Sequence, residues 1–95
     1  MSSPVLEEYR ERILELAARR GASNVRIFGS LARGEGNKES DLDLLVTLEK
    51  GRSLLDLVAL KLDIEDLIHR SVDVVTDRAL SPYIREQVLV EAVPL

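Results

Sequence analysis

The chain has 95 residues, the size of one domain, so we expect residues 1–95 to fold as a single unit. It contains no cysteine and one histidine, which excludes disulfide bonds and thiolate metal sites and argues against a histidine-rich metal centre or a Ser-His-Asp triad. The net charge of −4 argues against direct nucleic-acid binding over an extended surface, because such a surface needs clustered lysine and arginine.

The sequence shows no segment that predicts membrane contact or export. No apolar run approaches the ~20 residues of a membrane-spanning helix, and the N-terminus does not resemble a signal peptide. We therefore expect a cytoplasmic protein.

The N-terminal third predicts a helix, a strand and a helical turn. Ser3 and Pro4 suit the N-cap and the first helical position, and apolar residues recur at helical spacing to about residue 20. Gly21 can end that helix in the left-handed conformation. Residues 24–28 form a β-branched and aromatic run that predicts the first strand, and residues 30–33 suit a single helical turn.

The second predicted strand, residues 41–48, has two different faces. Side chains alternate across a strand, so one face is apolar and predicts core. Asp41 and Asp43 open the other face, which becomes apolar further along.

A long helix is predicted over about residues 54–69, where Ser53 and Asp56 resemble a capping box. It carries two apolar stripes. One should pack on the sheet. The second either packs on the first helix, which is the interpretation we favour, or lies on a partner surface; it comprises Leu54, Leu55, Val58 and Leu62.

Residues 71–76 predict a third strand, with Asp73 between valines, and Ser81-Pro82 opens a final helix to about residue 91. Pro94 prevents that helix from continuing. The element order is helix, strand, short helical turn, strand, helix, strand, helix. It predicts a small α/β (α+β) fold, with a mixed three-stranded sheet packed with helices.

Three aspartates point to a metal site. If the second and third strands are neighbours, which the sequence does not establish, Asp73 stands beside Asp41 and Asp43. Close carboxylates repel one another, and divalent cations remove that conflict. Carboxylates and substrate phosphates are the usual ligands of Mg²⁺, and two ions ~3.5–4 Å apart suit in-line displacement at phosphorus.

The Gly-Ser turn is suited to binding the substrate phosphates beside such a metal site. Gly29 lets the backbone approach a ligand closely, and the following helical turn directs free N–H groups towards phosphate. Ser30 adds a hydroxyl donor. Arg33 either reaches a phosphate or faces solvent.

The stretch GSLARGEGNKESDLDLLV, residues 29–46, together with SVDVVT, resembles the minimal nucleotidyltransferases of the DNA polymerase beta superfamily. These small prokaryotic proteins are often paired with a HEPN-domain partner. The resemblance covers about residues 25–75, and the final EAVPL is also typical of the group. The matched residues are Gly29, Ser30, Ala32, Arg33, Gly34, Ser40, Asp41, Asp43, Leu44, Val46 and Asp73.

The resemblance implies transfer of a nucleoside monophosphate from a nucleoside triphosphate to a hydroxyl group. It implies that Asp41 and Asp43 bind Mg²⁺, with two ions expected, and that Asp73 completes the metal site and helps to activate the acceptor. The nucleotide site implied by the resemblance comprises Gly29, Ser30, Arg33 and Ser40. Well-studied members are antitoxins that adenylylate a tyrosine of a HEPN ribonuclease toxin, with ATP as donor.

Two alternatives stay open. The chain could neutralise its partner by occlusion alone, as a binding module, or it could modify a small molecule or an RNA end. Larger relatives add a helical domain that forms the other wall of the site. We therefore expect that wall to come from a partner or from a second copy of this chain.

Overall fold

The computed structural model describes residues 4–34 and 41–95, with side chains from Glu7 onward in the first helix. Ser3 and Ser40, to which the sequence assigns a helix cap and a nucleotide contact, lie outside the described residues. The helices are α1 (Pro4–Arg19), α2 (Leu54–Ile68) and α3 (Pro82–Glu91), with a 3₁₀ turn at Asp77–Ala79. The strands are β1 (Ala22–Phe28), β2 (Leu42–Leu48), β3 (Val72–Thr76) and β4 (Val93–Pro94).

The sheet is mixed and has the order β3-β2-β1-β4, so the mixed α/β fold is confirmed. β2 runs antiparallel to β1 and parallel to β3, and β4 runs antiparallel to β1. The expected number of three strands is wrong, because β4 adds a fourth. β4 has only two residues, one of them Pro94, and so has no alternation that a sequence pattern could reveal.

One face of the sheet carries the main hydrophobic core, with α1 and α2 packed on it. Both helices contribute residues to one continuous buried cluster with β1, β2 and β3. Leu45 of β2 points away from this cluster and is fully buried on the opposite face, which fits the predicted apolar continuation beyond Asp43. The members of the core cluster are Ile13, Ala17, Ala22, Val25, Ile27, Leu42, Leu44, Val46, Leu57, Leu60, Ile64, Ile68 and Val72.

Local signals in the sequence place the element ends within about two residues. Gly21 has φ +72° after α1, as predicted. The capping box of α2 is present: Leu55 N–H donates to Ser53 Oγ at 3.2 Å, and Ser53 N–H donates to Asp56 Oδ2 at 3.1 Å. β1 begins two residues earlier than predicted, because a bulge around Asn24 interrupts the alternation.

Residues 30–34 form hydrogen-bonded turns rather than a helix. Arg33 N–H donates to Gly29 O at 3.2 Å, and Gly34 N–H donates to Leu31 O at 3.3 Å. Within residues 30–34, the predicted helical turn is thus a single i to i−4 hydrogen bond followed by an i to i−3 hydrogen bond.

The second apolar stripe of α2, which we call the outer stripe, does not pack on α1, so the favoured interpretation is wrong. The buried side of α2, which faces the sheet, also meets α1, and this leaves the outer stripe in solvent. The buried residues of α2 are Leu57, Leu60, Ile64 and Ile68. The exposed fractions are 76% for Leu54, 79% for Leu55, 51% for Val58 and 56% for Leu62. Among the described residues, no helix is both long enough and apolar enough to cross a membrane.

Candidate active site

The strand order left open by the sequence places two of the three aspartates side by side. β2 and β3 are parallel neighbours, and Asp43 pairs in register with Asp73. Each is the second residue of its strand, so both carboxylates lie on one face of the sheet, at the N-terminal ends of β2 and β3. Asp41 lies just before β2, where Leu42 N–H donates to Ser71 O at 2.9 Å.

The glycine turn lies at the same end of the sheet as these carboxylates, because β1 runs antiparallel to β2. Phe28, the last residue of β1, pairs with Asp43, and Gly29 follows directly. Gly29 has φ +78°, and a β-carbon there would lie 3.1 Å from Asp43 Cγ and closer still to Oδ2. A side chain at position 29 would therefore displace the Asp43 carboxylate.

Asp43 carries an electrostatic cost in this position. Its pKa is raised above 3.8, first because half-burial disfavours the charged form and then because the charges of Asp73 and Asp41 repel it. The Arg33 guanidinium lowers the pKa and offsets part of this effect. A group that adds positive charge beside Asp43 would relieve the remaining repulsion from Asp73 and Asp41.

The aspartates are the ligand type that a magnesium site needs, but their carboxylates are not close enough together to hold an ion. Oxygen donors suit Mg²⁺, and the mutual repulsion at Asp43 is what a cation would remove. As the side chains lie, the described residues contain no group of three or more histidine, cysteine, aspartate or glutamate side chains close enough to hold a metal ion. Binding would therefore require the carboxylates to draw together.

Two predicted nucleotide contacts lie on the turn next to these carboxylates. Ser30 follows Gly29 directly and is partly exposed. Arg33 forms an ion pair with Glu91 at the end of α3, in which Nη1 donates to Oε1 at 2.8 Å. Arg33 therefore does not simply face solvent.

Glu65 is a residue at the site that sequence reasoning missed. Its Oε2 accepts a hydrogen bond from Val72 N–H at 2.9 Å and lies 3.4 Å from Lys61 Nζ. Val72 precedes Asp73, so this carboxylate ties α2 to the start of the strand that carries the third aspartate. The Lys61/Glu65 spacing is visible in the sequence, but the contact with β3 depends on tertiary packing.

The charge of Glu65 should contribute to stability in a pH-dependent way. The hydrogen bond from Val72 N–H, together with Lys61, lowers the pKa of Glu65 below 4.5. Its contribution is thus present above pH 4.5 and is lost as the pH falls through the lowered value. In urea unfolding, Glu65→Gln should be less stable than wild type at pH 7, and the difference should shrink in acid. Glu86→Gln, which alters an exposed carboxylate on α3, should show no such trend.

Sequence comparison identifies the family of this chain. Residues 6–95 match the model of the nucleotidyltransferase domain family. A candidate protein adenylyltransferase of Methanocaldococcus jannaschii, MJ0435, is 39% identical over 93% of this chain and 95% of its own length. Protein adenylyltransferase MntA of Thermococcus cleftensis is 39% identical over 83% of this chain and 80% of its own length.

Solved structures agree with the sequence comparison. The structure of a candidate minimal nucleotidyltransferase covers 100% of this chain and 97% of its own, with a TM-score of 0.89 and 55% identity. A toxin–antitoxin complex with AMP-PNP contains a chain of the same fold, with a TM-score of 0.76 and 21% identity over 88% of this chain and 69% of its own. The chain belongs to the nucleotidyltransferase domain family, as an enzyme with the fold of the minimal nucleotidyltransferases.

Proposed function

We propose that this nucleotidyltransferase moves AMP from ATP to a hydroxyl group of a protein partner and releases pyrophosphate. The observation that carries the proposal is the pairing of Asp43 with Asp73 directly against the Gly29 turn. Two relatives that are 39% identical and named for protein adenylylation support both the donor and the class of acceptor.

Asp41, Asp43 and Asp73 would hold Mg²⁺, which supplies positive charge to the phosphates and lowers the pKa of the attacking hydroxyl. Gly29 leaves room for the triphosphate to approach the backbone, because it presents no β-carbon. Ser30, Arg33 and Ser40 are the proposed donors to the phosphate oxygens.

In the proposed reaction, the acceptor oxygen forms a bond to the α-phosphorus while the bond from that phosphorus to the bridging oxygen breaks. The pyrophosphate leaves with the electrons of the broken bond. Asp73 is more exposed than Asp43 and is the proposed recipient of the hydroxyl proton.

The proposed partner is a HEPN-domain toxin, with a tyrosine as the acceptor and the chain acting as an antitoxin. The resemblance to antitoxins of such pairs motivates this assignment, and a chain of the same fold is known in a toxin–antitoxin complex. We place the docking surface on the outer stripe of α2, where four apolar side chains on one helix face are more than half exposed.

The reaction is tested by incubating the chain with a HEPN-domain partner, Mg²⁺ and ATP labelled on the α-phosphate. Label should appear on the partner and should depend on Mg²⁺, and mass spectrometry should locate it on a tyrosine. If the complex forms but no label is transferred, the proposed reaction is wrong.

A second candidate function is neutralisation of the partner by occlusion alone, which the exposed outer stripe favours. The two functions separate when Asp43→Asn is produced in cells together with the toxin. Protection equal to that by wild type would support occlusion, and loss of protection would support catalysis.

A charge on the outer stripe should separate docking from folding. Leu55 is 79% exposed, so Leu55→Glu should leave the melting temperature within a few degrees of wild type but weaken partner binding by about tenfold or more. Calorimetric titration measures the affinity. Val90→Glu is the matched control, because Val90 is 82% exposed but lies on α3. Equal effects of the two variants would contradict docking on the outer stripe.

A further inference from the structure

Arg33, the proposed triphosphate ligand, is held by a carboxylate from the far end of the chain. Its Nη1 donates to Glu91 Oε1 at 2.8 Å. The Arg33 side chain is 43% exposed and that of Glu91 is 22% exposed, so the pair is only partly screened by water. No part of the proposed reaction uses Glu91.

The position of Glu91 is fixed by the sheet rather than by its own helix. All side chains of α3 from Pro82 to Val90 are exposed except Val88, so α3 has little packing to hold it. Two residues after Glu91, however, Val93 of β4 pairs with Ile27 of β1. β1 leads into Gly29, so β4 places Glu91 beside the turn that Arg33 belongs to.

The backbone of Arg33 is fixed as well, and its side chain is held by the ion pair with Glu91. Arg33 N–H donates to Gly29 O at 3.2 Å, which closes the turn. An arginine side chain carries about 2 kcal/mol of rotamer entropy, which is lost when it binds a ligand in one conformation. A partner that orders the side chain beforehand reduces that loss on binding.

We propose that Glu91 is a positioning residue, which holds the Arg33 guanidinium at the phosphate-binding turn before the nucleotide arrives. The inference rests on the proposed function, because it gives Arg33 the triphosphate as its ligand. It assigns to the end of α3 a role in nucleotide affinity rather than in the chemical step.

Nucleotide affinity tests the proposal without any need for an acceptor. The probe is the α,β-methylene analogue of ATP with Mg²⁺, followed by calorimetry, since the bond broken in transfer cannot be cleaved in it. Glu91→Ala should bind about fivefold more weakly than wild type, the upper end for a half-exposed ion pair. Glu91→Gln keeps an acceptor oxygen and should bind nearly as well as wild type. Glu86→Ala, an exposed carboxylate on the same helix, should bind as wild type does.

A double-mutant cycle separates positioning from a general effect on α3. In an Arg33→Ala background, Glu91→Ala should cause no further loss of affinity, because the side chain that it positions is gone. An equal loss in both backgrounds would overturn the proposal, as would tighter binding by Glu91→Ala, since Glu91 would then compete with phosphate for Arg33.

A ligand-free measurement keeps this inference distinct from the proposed function. The Arg33 Nε–Hε resonance of wild type should report an ordered side chain, and in Glu91→Ala it should report a mobile one. An unchanged resonance overturns the positioning role. If wild type shows the ordered resonance but does not bind the analogue, the proposed nucleotide function is overturned. The role of Glu91 in nucleotide affinity is then overturned as well.

Discussion

Replacing Asp43 by asparagine should reduce nucleotidyl transfer at least about a hundredfold without loss of folding stability. Changes to groups outside the coordination shell of a metal already cost 10–100-fold, so removal of a proposed ligand should cost at least as much. Asparagine has nearly the same size, and it removes the charge that Asp73 and Asp41 repel.

The sign of the stability effect follows from the raised pKa of Asp43. The folded protein favours the protonated form of the Asp43 carboxyl. The contribution of this group to stability is therefore full below pH 3.8 and is lost as the pH rises through the raised pKa. At pH 7 the ionised carboxylate therefore opposes folding. Asp43→Asn should be as stable as wild type at pH 7, or more stable.

The labelled-ATP assay measures the loss of transfer, and thermal melting with and without Mg²⁺ measures both stability and ligand binding. Wild type should gain stability from Mg²⁺ with nucleotide, because ligands that bind only the folded state stabilise it, and Asp43→Asn should not. Asp66→Asn, at an exposed position of α2, should behave as wild type does. A variant of Asp43 that keeps full transfer activity would contradict the proposed metal site.

Replacing Gly29 by alanine should cost about 2–4 kcal/mol of folding free energy and abolish transfer. About 1–2 kcal/mol comes from the φ of +78°, which an L-residue with a side chain rarely adopts. The remainder comes from overlap of the new β-carbon with the Asp43 carboxylate, which has to move. Urea unfolding and the labelled-ATP assay measure the two losses.

Gly34→Ala is the matched control for this variant. Gly34 has a similar φ of +75°, but no atom of residues 4–34 or 41–95 lies within 4 Å of the position that its β-carbon would take. It should therefore show the backbone cost alone, about 1–2 kcal/mol, and keep most of the activity. Equal loss of activity in both variants would show that backbone strain, and not the contact with Asp43, makes Gly29 necessary.

The sequence predicts most of this fold because its signals are local. Gly21 after α1, the Ser53 cap of α2 and Ser81-Pro82 before α3 act through neighbouring residues, and each element begins or ends close to the predicted residue. The alternation in β2 likewise predicts which face carries Asp43.

The remaining features depend on contacts between distant segments. β4 is defined only by its pairing with β1, and this pairing also positions Glu91. The contact of Glu65 depends on where α2 lies. The outer stripe of α2 is as apolar as a core stripe, so composition could not show that α1 would leave it uncovered. The pairing of Asp43 with Asp73 required the strand order, which the sequence did not provide.

The two edges of the sheet determine how another protein can attach to it. Leu95 N–H points inward and donates to Val25 O, so the outward-facing position of β4 falls on Pro94, which has no N–H to offer. On the other edge, Glu65 already occupies the N–H of Val72. An incoming strand would find a missing donor on one side and a negatively charged carboxylate on the other. Growth of the sheet by strand addition, whether by a partner or by aggregation, is disfavoured, and recognition is left to the faces of the helices.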